Sequence, residues 1–241
     1  MNLGPAGGFN FFPPVIKNLI IINVLLFIVT GWLMPSLTPY LALYHWASPL
    51  FKPWQILTHQ FMHANFAHLF FNMFTLWMLG ASVESRLGSQ RFLIFYLTCG
   101  FGAALLHLLV FSWENQAAIQ WFQTLTENEQ INAVNQVLLT NYGNPNVFPL
   151  VTPMLGASGA IFGVLFAFAY LFPNVQIMIY FLFPIRAKYL VAIMAVIALF
   201  AGLRNDPADN IAHFAHLGGM IFAYLLFKYW KIRSGGFNRW N

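Results

Sequence analysis

Five polar residues stand in otherwise apolar stretches of this chain. They are His68 and Asn72 in "HANFAHLFFNM", Ser158 in "MLGASGAIFG", and His213 and His216 in "AHFAHLGG". A serine hydroxyl becomes a useful nucleophile only when a base within about 2.6–3.2 Å takes its proton. The oxyanion formed by its attack needs donors already in place. The free backbone N–H groups at a helix start could supply some of these, and the His68 and Asn72 side chains could supply the rest. Serine is short, so the helix carrying the base must approach closely. Gly156, Gly159 and Gly163 surround Ser158, and Gly218 and Gly219 follow His216. Glycine inside a helix costs about 1 kcal/mol against alanine, and small residues permit close helix approach in a membrane. The glycines and the serine then serve one purpose. Each feature alone has a plainer reading. A serine among small residues is packing, a lone intramembrane histidine such as His107 is structural, and Asn72 could bridge two helices.

Composition sets the surroundings. Of 241 residues, 59% are hydrophobic and only 7% charged, against about 25% charged in a soluble domain. Such a chain is an integral membrane protein. A span needs about 20 mostly apolar residues, and segments near 15–34, 66–82, 90–111, 156–172, 188–203 and 211–230 fit. Six spans with the N-terminus inside place Lys17, Arg86, Arg91, Arg186, Lys188, Lys228, Lys231, Arg233 and Arg239 on the inner side. Only Lys52 and Arg204 remain outside, with Glu114, Glu127, Glu129, Asp206 and Asp209. This is the positive-inside distribution, and shifting the count by one helix destroys it. Both termini are expected to be cytoplasmic. The pI near 9.5 therefore reflects topology, and no nucleic-acid partner is expected.

The chain reads as a single membrane domain over 1–241, with a core of about 15–230. "MNLGPAGGFNFFPPV" lacks a basic n-region and a small-residue cleavage site, so no secretory signal peptide is expected. Cys99 is the one cysteine and reads as an inert core residue. Residues 35–65 are expected to form a structured outer loop with Trp46 and Trp54 at the interface. The Gln/Asn-rich outer segment 112–155 reads either as an amphipathic helix on the membrane or as a solvated loop with some helix, and is expected to affect substrate access. "PNVQIMIYFLFPIRAK" is expected to run along the cytoplasmic interface.

The topology adds a constraint that composition lacks. The second, fourth and sixth helices all enter from the outer face, so His68, Ser158 and His216 fall at one shallow depth. Polar groups inside spans are costly and usually functional, and three at one depth point to chemistry.

These residues resemble the signatures of the rhomboid intramembrane serine proteases. The family's H-x-x-x-N reads His68-Leu69-Phe70-Phe71-Asn72, its G-x-S-G reads Gly156-Ala157-Ser158-Gly159, and its A-H-x-x-G reads Ala215-His216-Leu217-Gly218-Gly219. "VESRLGS" at 83–89 is also similar to a family stretch. The resemblance implies an all-α bundle of six transmembrane helices and a Ser158–His216 dyad without an acidic third member. It also implies an oxyanion hole from His68, Asn72 and the Ser158 N–H, and an aromatic, Phe162, packed on the base. His216 is preferred to His213 because it stands in the A-H-x-x-G frame, and His63 is read as supporting. Implied substrates are transmembrane segments of other membrane proteins, cut near their outer ends, with the lipid bilayer as surroundings. Neither metal nor organic cofactor is implied. The compact form suggests a bacterial plasma-membrane enzyme. Where many members have Trp-Arg in the first outer loop, Trp54 is followed here by Gln55, which puts that loop's stability in question.

Other classes remain open at this point. His59 and His63, four apart, could bind a metal, although no H-E-x-x-H is present. A transporter would use intramembrane carboxylates, yet the expected spans hold no Asp or Glu apart from Glu84 just past the inner end of the second. A catalytically silent relative could bind membrane clients, though such relatives usually lack the serine or the histidine.

Overall fold

Six apolar helices dominate the computed structural model, which describes residues 11–140, 143–179, 183–204 and 212–235. They are α1 (Pro14–Ile28), α2 (Phe66–Leu87), α3 (Ser89–Glu114), α4 (Ser158–Leu171), α5 (Ala187–Arg204) and α6 (His213–Tyr229). Each coincides with one segment expected from hydropathy. Residue 211, Asp206, Asp209 and Arg239 lie outside the described residues. Four helices are long and apolar enough to cross a membrane: α1 with its π-helical continuation to Leu33, α2, α3 and α5. The protein is thus a multi-pass integral membrane protein. α4 has only 14 residues, about 21 Å at 1.5 Å per residue. It is short because it lies inside the bundle, packed on α2, α3, α5 and α6. Its first turn is reached through irregular backbone, which is tolerated at membrane depth only where protein or a cavity surrounds it.

The core follows from that arrangement. Leu76, Phe92, Phe95, Tyr96, Val164, Ala167 and Phe227 form one buried cluster drawn from α2, α3, α4 and α6. Cys99 sits fully buried within it. α1 and α5 are peripheral and leave apolar faces exposed, such as Leu25 on α1 and Ile197 and Phe200 on α5. Exposed apolar faces on peripheral helices are what a lipid surrounding requires.

A buried polar side chain organises each end of the bundle. At the end far from Ser158, the buried Glu84 carboxylate accepts the Val15 N–H at 3.1 Å, the Ile16 N–H at 2.9 Å and the Ser89 hydroxyl at 2.6 Å. It therefore caps the first turn of α1, where orphan donors and the positive end of the helix dipole favour an anion. At the Ser158 end, the loop between α1 and α2 is built around Gln55, which is fully buried. Its Nε2 donates to the Pro39 and Leu50 carbonyls at 3.0 and 3.1 Å, and its Oε1 accepts the Lys52 N–H at 3.0 Å. Gln55 thus holds the loop where the sequence raised doubt. Trp46 and Trp54 are half-exposed on that loop.

Two segments differ from their expectation. The stretch after α4 is an antiparallel pair, β1 (Gln176–Ile179) and β2 (Phe183–Arg186), in register Gln176↔Arg186. The fold is therefore not purely α. Isoleucines alternating with other residues suit a strand whose one face packs on the core, and Ile177 does so. The 112–155 segment holds helices Gln116–Gln123 and Glu127–Thr140. They bury a small core of their own, with Phe122, Val134, Val137, Val147 and Leu150. The helix expected in part of this segment is present, and what was not expected is that Val134 and Val137 are buried with Phe122 in a core of its own. His45 ties it to the first loop, through Nε2 to the Ser112 hydroxyl at 2.8 Å and a ring stack on Phe111 at 4.8 Å.

Removing the Glu84 carboxylate strands two buried backbone donors, each costing about 1–3 kcal/mol. Glu84→Ala is expected to destabilise the protein by about 3 kcal/mol and Glu84→Gln by less, read as apparent unfolding temperature in detergent. Equal stability of Glu84→Ala and wild type would remove the capping role.

Candidate active site

Asn65 begins the site. Its backbone is extended and its side chain accepts the His68 N–H at 2.9 Å, so α2 starts there and His68 falls in its first turn. Asn72 follows one turn later on the same face. On the facing side, the turn before α4 passes through Gly156 at φ +134°, a conformation that favours glycine. The Gly156 N–H donates to the His59 carbonyl at 2.9 Å, which fastens this turn to the first loop. His59 is buried there with Nδ1 at 2.8 Å from the Gln55 carbonyl. Burial lowers its pKa to about 4, outweighing that hydrogen bond. It is neutral at pH 7, with Nδ1–H as donor.

The α4–α6 contact sets the rest. A Cβ at Gly219 would overlap the Gly159 carbonyl oxygen, and one at Gly159 would overlap Ala103 Cβ on α3. Only hydrogen at these positions lets the three helices close. Ser158 precedes Gly159 by one residue and His216 precedes Gly219 by three. The outcome is a distance of 3.0 Å between Ser158 Oγ and His216 Nε2. Phe162, one turn along α4, stacks on the His216 ring with centroids 4.0 Å apart and planes 4° from parallel. The His213 ring stands edge-on to His216 at 6.2 Å.

These groups open onto one cavity of about 800 Å³, lined by His68, Asn72, Gly156, Ser158, Phe162, His213 and His216 among others. A Cβ at Gly156 would stand 2.8–2.9 Å from the His68 ring and 3.7 Å from Ser158 Oγ. The missing side chain leaves a small space that both residues border. Asn72 Nδ2 is buried and has no hydrogen-bond partner among the described residues. A buried donor left unpaired is costly, and one lining a cavity is ready for an acceptor from outside.

Of the residues expected at the site, His68, Asn72, Gly156, Ser158, Gly159, Phe162 and His216 line this cavity, while Gly219 stands behind it against Gly159. Three features were not legible in advance. His107, expected to be a packing residue, also borders the cavity. Glu114 lines it from the end of α3, and Ala103 makes the close contact with Gly159. The small-residue run "CGFGAA" around Ala103 was the one available signal. His63 packs its ring on His68 at 5.0 Å, and burial, with a smaller contribution from His68, lowers its pKa to about 3. It braces His68, while the His59 Nδ1 is engaged by backbone.

A helical membrane protein with a serine and a histidine joined in a buried cavity defines a class that the sequence comparisons make specific. The Rhomboid domain family matches residues 50–231. The chain belongs to the rhomboid family. It is 31% identical over 170 residues to "Rhomboid protein 1, mitochondrial" of Saccharomyces cerevisiae, covering 70% of this chain and 40% of that protein. To the human "Presenilin-associated rhomboid-like protein, mitochondrial" it is 28% identical over 232 residues, 91% of this chain and 50% of the relative. To "Rhomboid protease GluP" of Bacillus subtilis it is 30% identical over 170 residues, 70% and 25% respectively. The chain thus spans half or less of the length of these relatives. Two of the three carry mitochondrial names, so the expectation of a bacterial plasma membrane is not supported.

Because a Cβ at Gly219 would overlap the Gly159 carbonyl, Gly219→Ala is expected to lower stability by about 1–3 kcal/mol. Gly31→Ala, where a Cβ would meet nothing within 4 Å, is expected to be silent. Thermal unfolding of the two purified variants compares them, and equal behaviour would remove the contact as a constraint.

Proposed function

We propose that the protein is an intramembrane serine endopeptidase that cuts transmembrane segments of membrane proteins near their outer ends. The observation that carries this is the 3.0 Å approach of Ser158 Oγ to His216 Nε2 inside a polar cavity of an apolar bundle. Six spans with both termini on the cytoplasmic side accompany the proposal, supported by the excess of Lys and Arg on that side.

With the proton on Nδ1, His216 Nε2 accepts the Ser158 proton as Oγ attacks the scissile carbonyl carbon. The carbonyl oxygen becomes the oxyanion and turns into the space beside Gly156. There the Ser158 N–H, Asn72 Nδ2 and the His68 ring are the donors. Stabilisation of this kind removes about 3–4 kcal/mol per donor from the barrier in serine proteases. His216 then returns the proton to the leaving nitrogen, which frees one fragment and leaves an ester on Ser158. A water from the cavity, deprotonated by the same Nε2, hydrolyses the ester. Among the described residues no carboxylate is bonded to this base. The Phe162 ring fixes its plane instead and favours the imidazolium through its π face.

Cleavage of a labelled single-span substrate in proteoliposomes tests this. Ser158→Ala and His216→Ala are each expected to lower the rate by at least about a thousandfold, and His213→Ala to keep partial activity. An active His216→Ala beside an inactive His213→Ala would reassign the base. Product formation by Ser158→Ala would end the serine-protease reading, and a wild type that cuts nothing across a substrate panel would favour a silent client-binding protein.

A further inference from the structure

The cavity has an uneven charge. Five histidines border it, and Glu114 is the one carboxylate among its described lining residues, with no Lys or Arg there to offset it. Histidine is ordinarily neutral above pH 7, so Glu114 is the one acidic group among the described lining residues. Glu114 is the last residue of α3 and is exposed. Thr152 and Pro153, at the other end of the 112–155 segment, line the same cavity. The two roots of that segment therefore form one side of the mouth.

Geometry gives the distance from the reacting serine. Ala103 of α3 lies against Gly159, next to Ser158. Eleven residues of α3 separate Ala103 from Glu114, about 16 Å of helix. A bound chain drawn out as a strand advances about 3.3 Å per residue. The carboxylate therefore stands level with a substrate residue about five positions beyond the cleaved bond. At a mouth with low-dielectric walls a charge is focused along the opening, and its reach in salt is about 8 Å. It senses that residue and its immediate neighbours.

We propose that Glu114 is a specificity determinant. It selects transmembrane substrates carrying Lys or Arg about five residues to the outer side of the cleaved bond, and it rejects Asp or Glu there. The proposal rests on the protease reading, since the cleaved bond defines the position. No other described lining residue supplies a charge of either sign at the mouth.

The test uses single-span substrates identical except for Lys, Gln or Glu at that position, in proteoliposomes of neutral lipid. Wild type is expected to favour Lys over Glu by about tenfold in kcat/KM, the attraction and the repulsion each contributing a few-fold at an exposed site. The ratio should fall to near one in Glu114→Gln, invert in Glu114→Lys, and shrink in ~0.5 M salt. A ratio near one in wild type, or one unchanged in Glu114→Gln, overturns the proposal. Binding of the same labelled peptides to the detergent-solubilised protein separates it from the protease reading. A Lys preference in binding that Glu114→Gln abolishes, with no cleavage by wild type, would end the protease reading and keep the role of Glu114. No preference in binding and no cleavage would end both.

Discussion

The structure depends on one contact between two backbones. Gly159 and Gly219 meet with nothing but hydrogen between α4 and α6, and Ala103 of α3 closes the third side. In lipid no hydrophobic force pushes helices together, so close packing of small residues must do it. A serine side chain reaches only one bond beyond its Cβ. A helix separation wider by the size of a methyl group would take Ser158 Oγ out of hydrogen-bond range of His216. The same closeness lets Phe162 lie flat on the imidazole. The candidate nucleophile, the base and the base's orienting group are thus consequences of one small-residue interface.

The rest of the fold keeps that interface in place while satisfying polar groups in apolar surroundings. Glu84 ties α1 to the turn between α2 and α3. Gln55 organises the first loop, and through the carbonyl of His59 that loop holds Gly156. The chain of bonds from Gln55 to His59 to Gly156 links loop order directly to the turn before Ser158. Against this pattern Asn72 is the exception. Asn23 Oδ1, Gln60 Oε1, both ring nitrogens of His63 and the Tyr96 hydroxyl are also buried without hydrogen-bond partners among the described residues, but none of these residues lines the cavity. The Asn72 amide does, and the space beside Gly156 faces the same opening. The arrangement reserves donors for a charge that arises only during reaction, which is the physical meaning of a preorganised site.

Much of this was legible from residue types alone. The six apolar segments came from hydropathy, and the helices fall on them. His68, Asn72, Ser158 and His216 came from their spacing and from the depth at which the topology puts them. His213 and His216 are three positions apart and share one helix face, and it is the His216 ring, one turn further into the bundle, that stands at 3.0 Å from Ser158 Oγ. The hairpin at 176–186 was missed because a short apolar run reads equally as strand or helix. The small core beneath 112–155 was missed because a segment rich in Gln and Asn shows little periodicity. Gln55 was read as a weakness, whereas its amide donates to the Pro39 and Leu50 carbonyls and accepts the Lys52 and Tyr44 N–H groups, and so satisfies four backbone groups at once.

The sequence by itself determined that this is a multi-pass membrane protein, which helices carry the polar residues and which face of each they occupy. Those are local properties, set by hydropathy, by helical period and by where glycine is required. Tertiary structure alone decided that Ser158 and His216 meet at 3.0 Å, that His107 and Glu114 share their cavity, and that the Gln55 amide holds the first loop. Each of these depends on distances between segments far apart in the chain. Such distances are fixed by which backbones can touch, and that follows from packing the whole bundle at once.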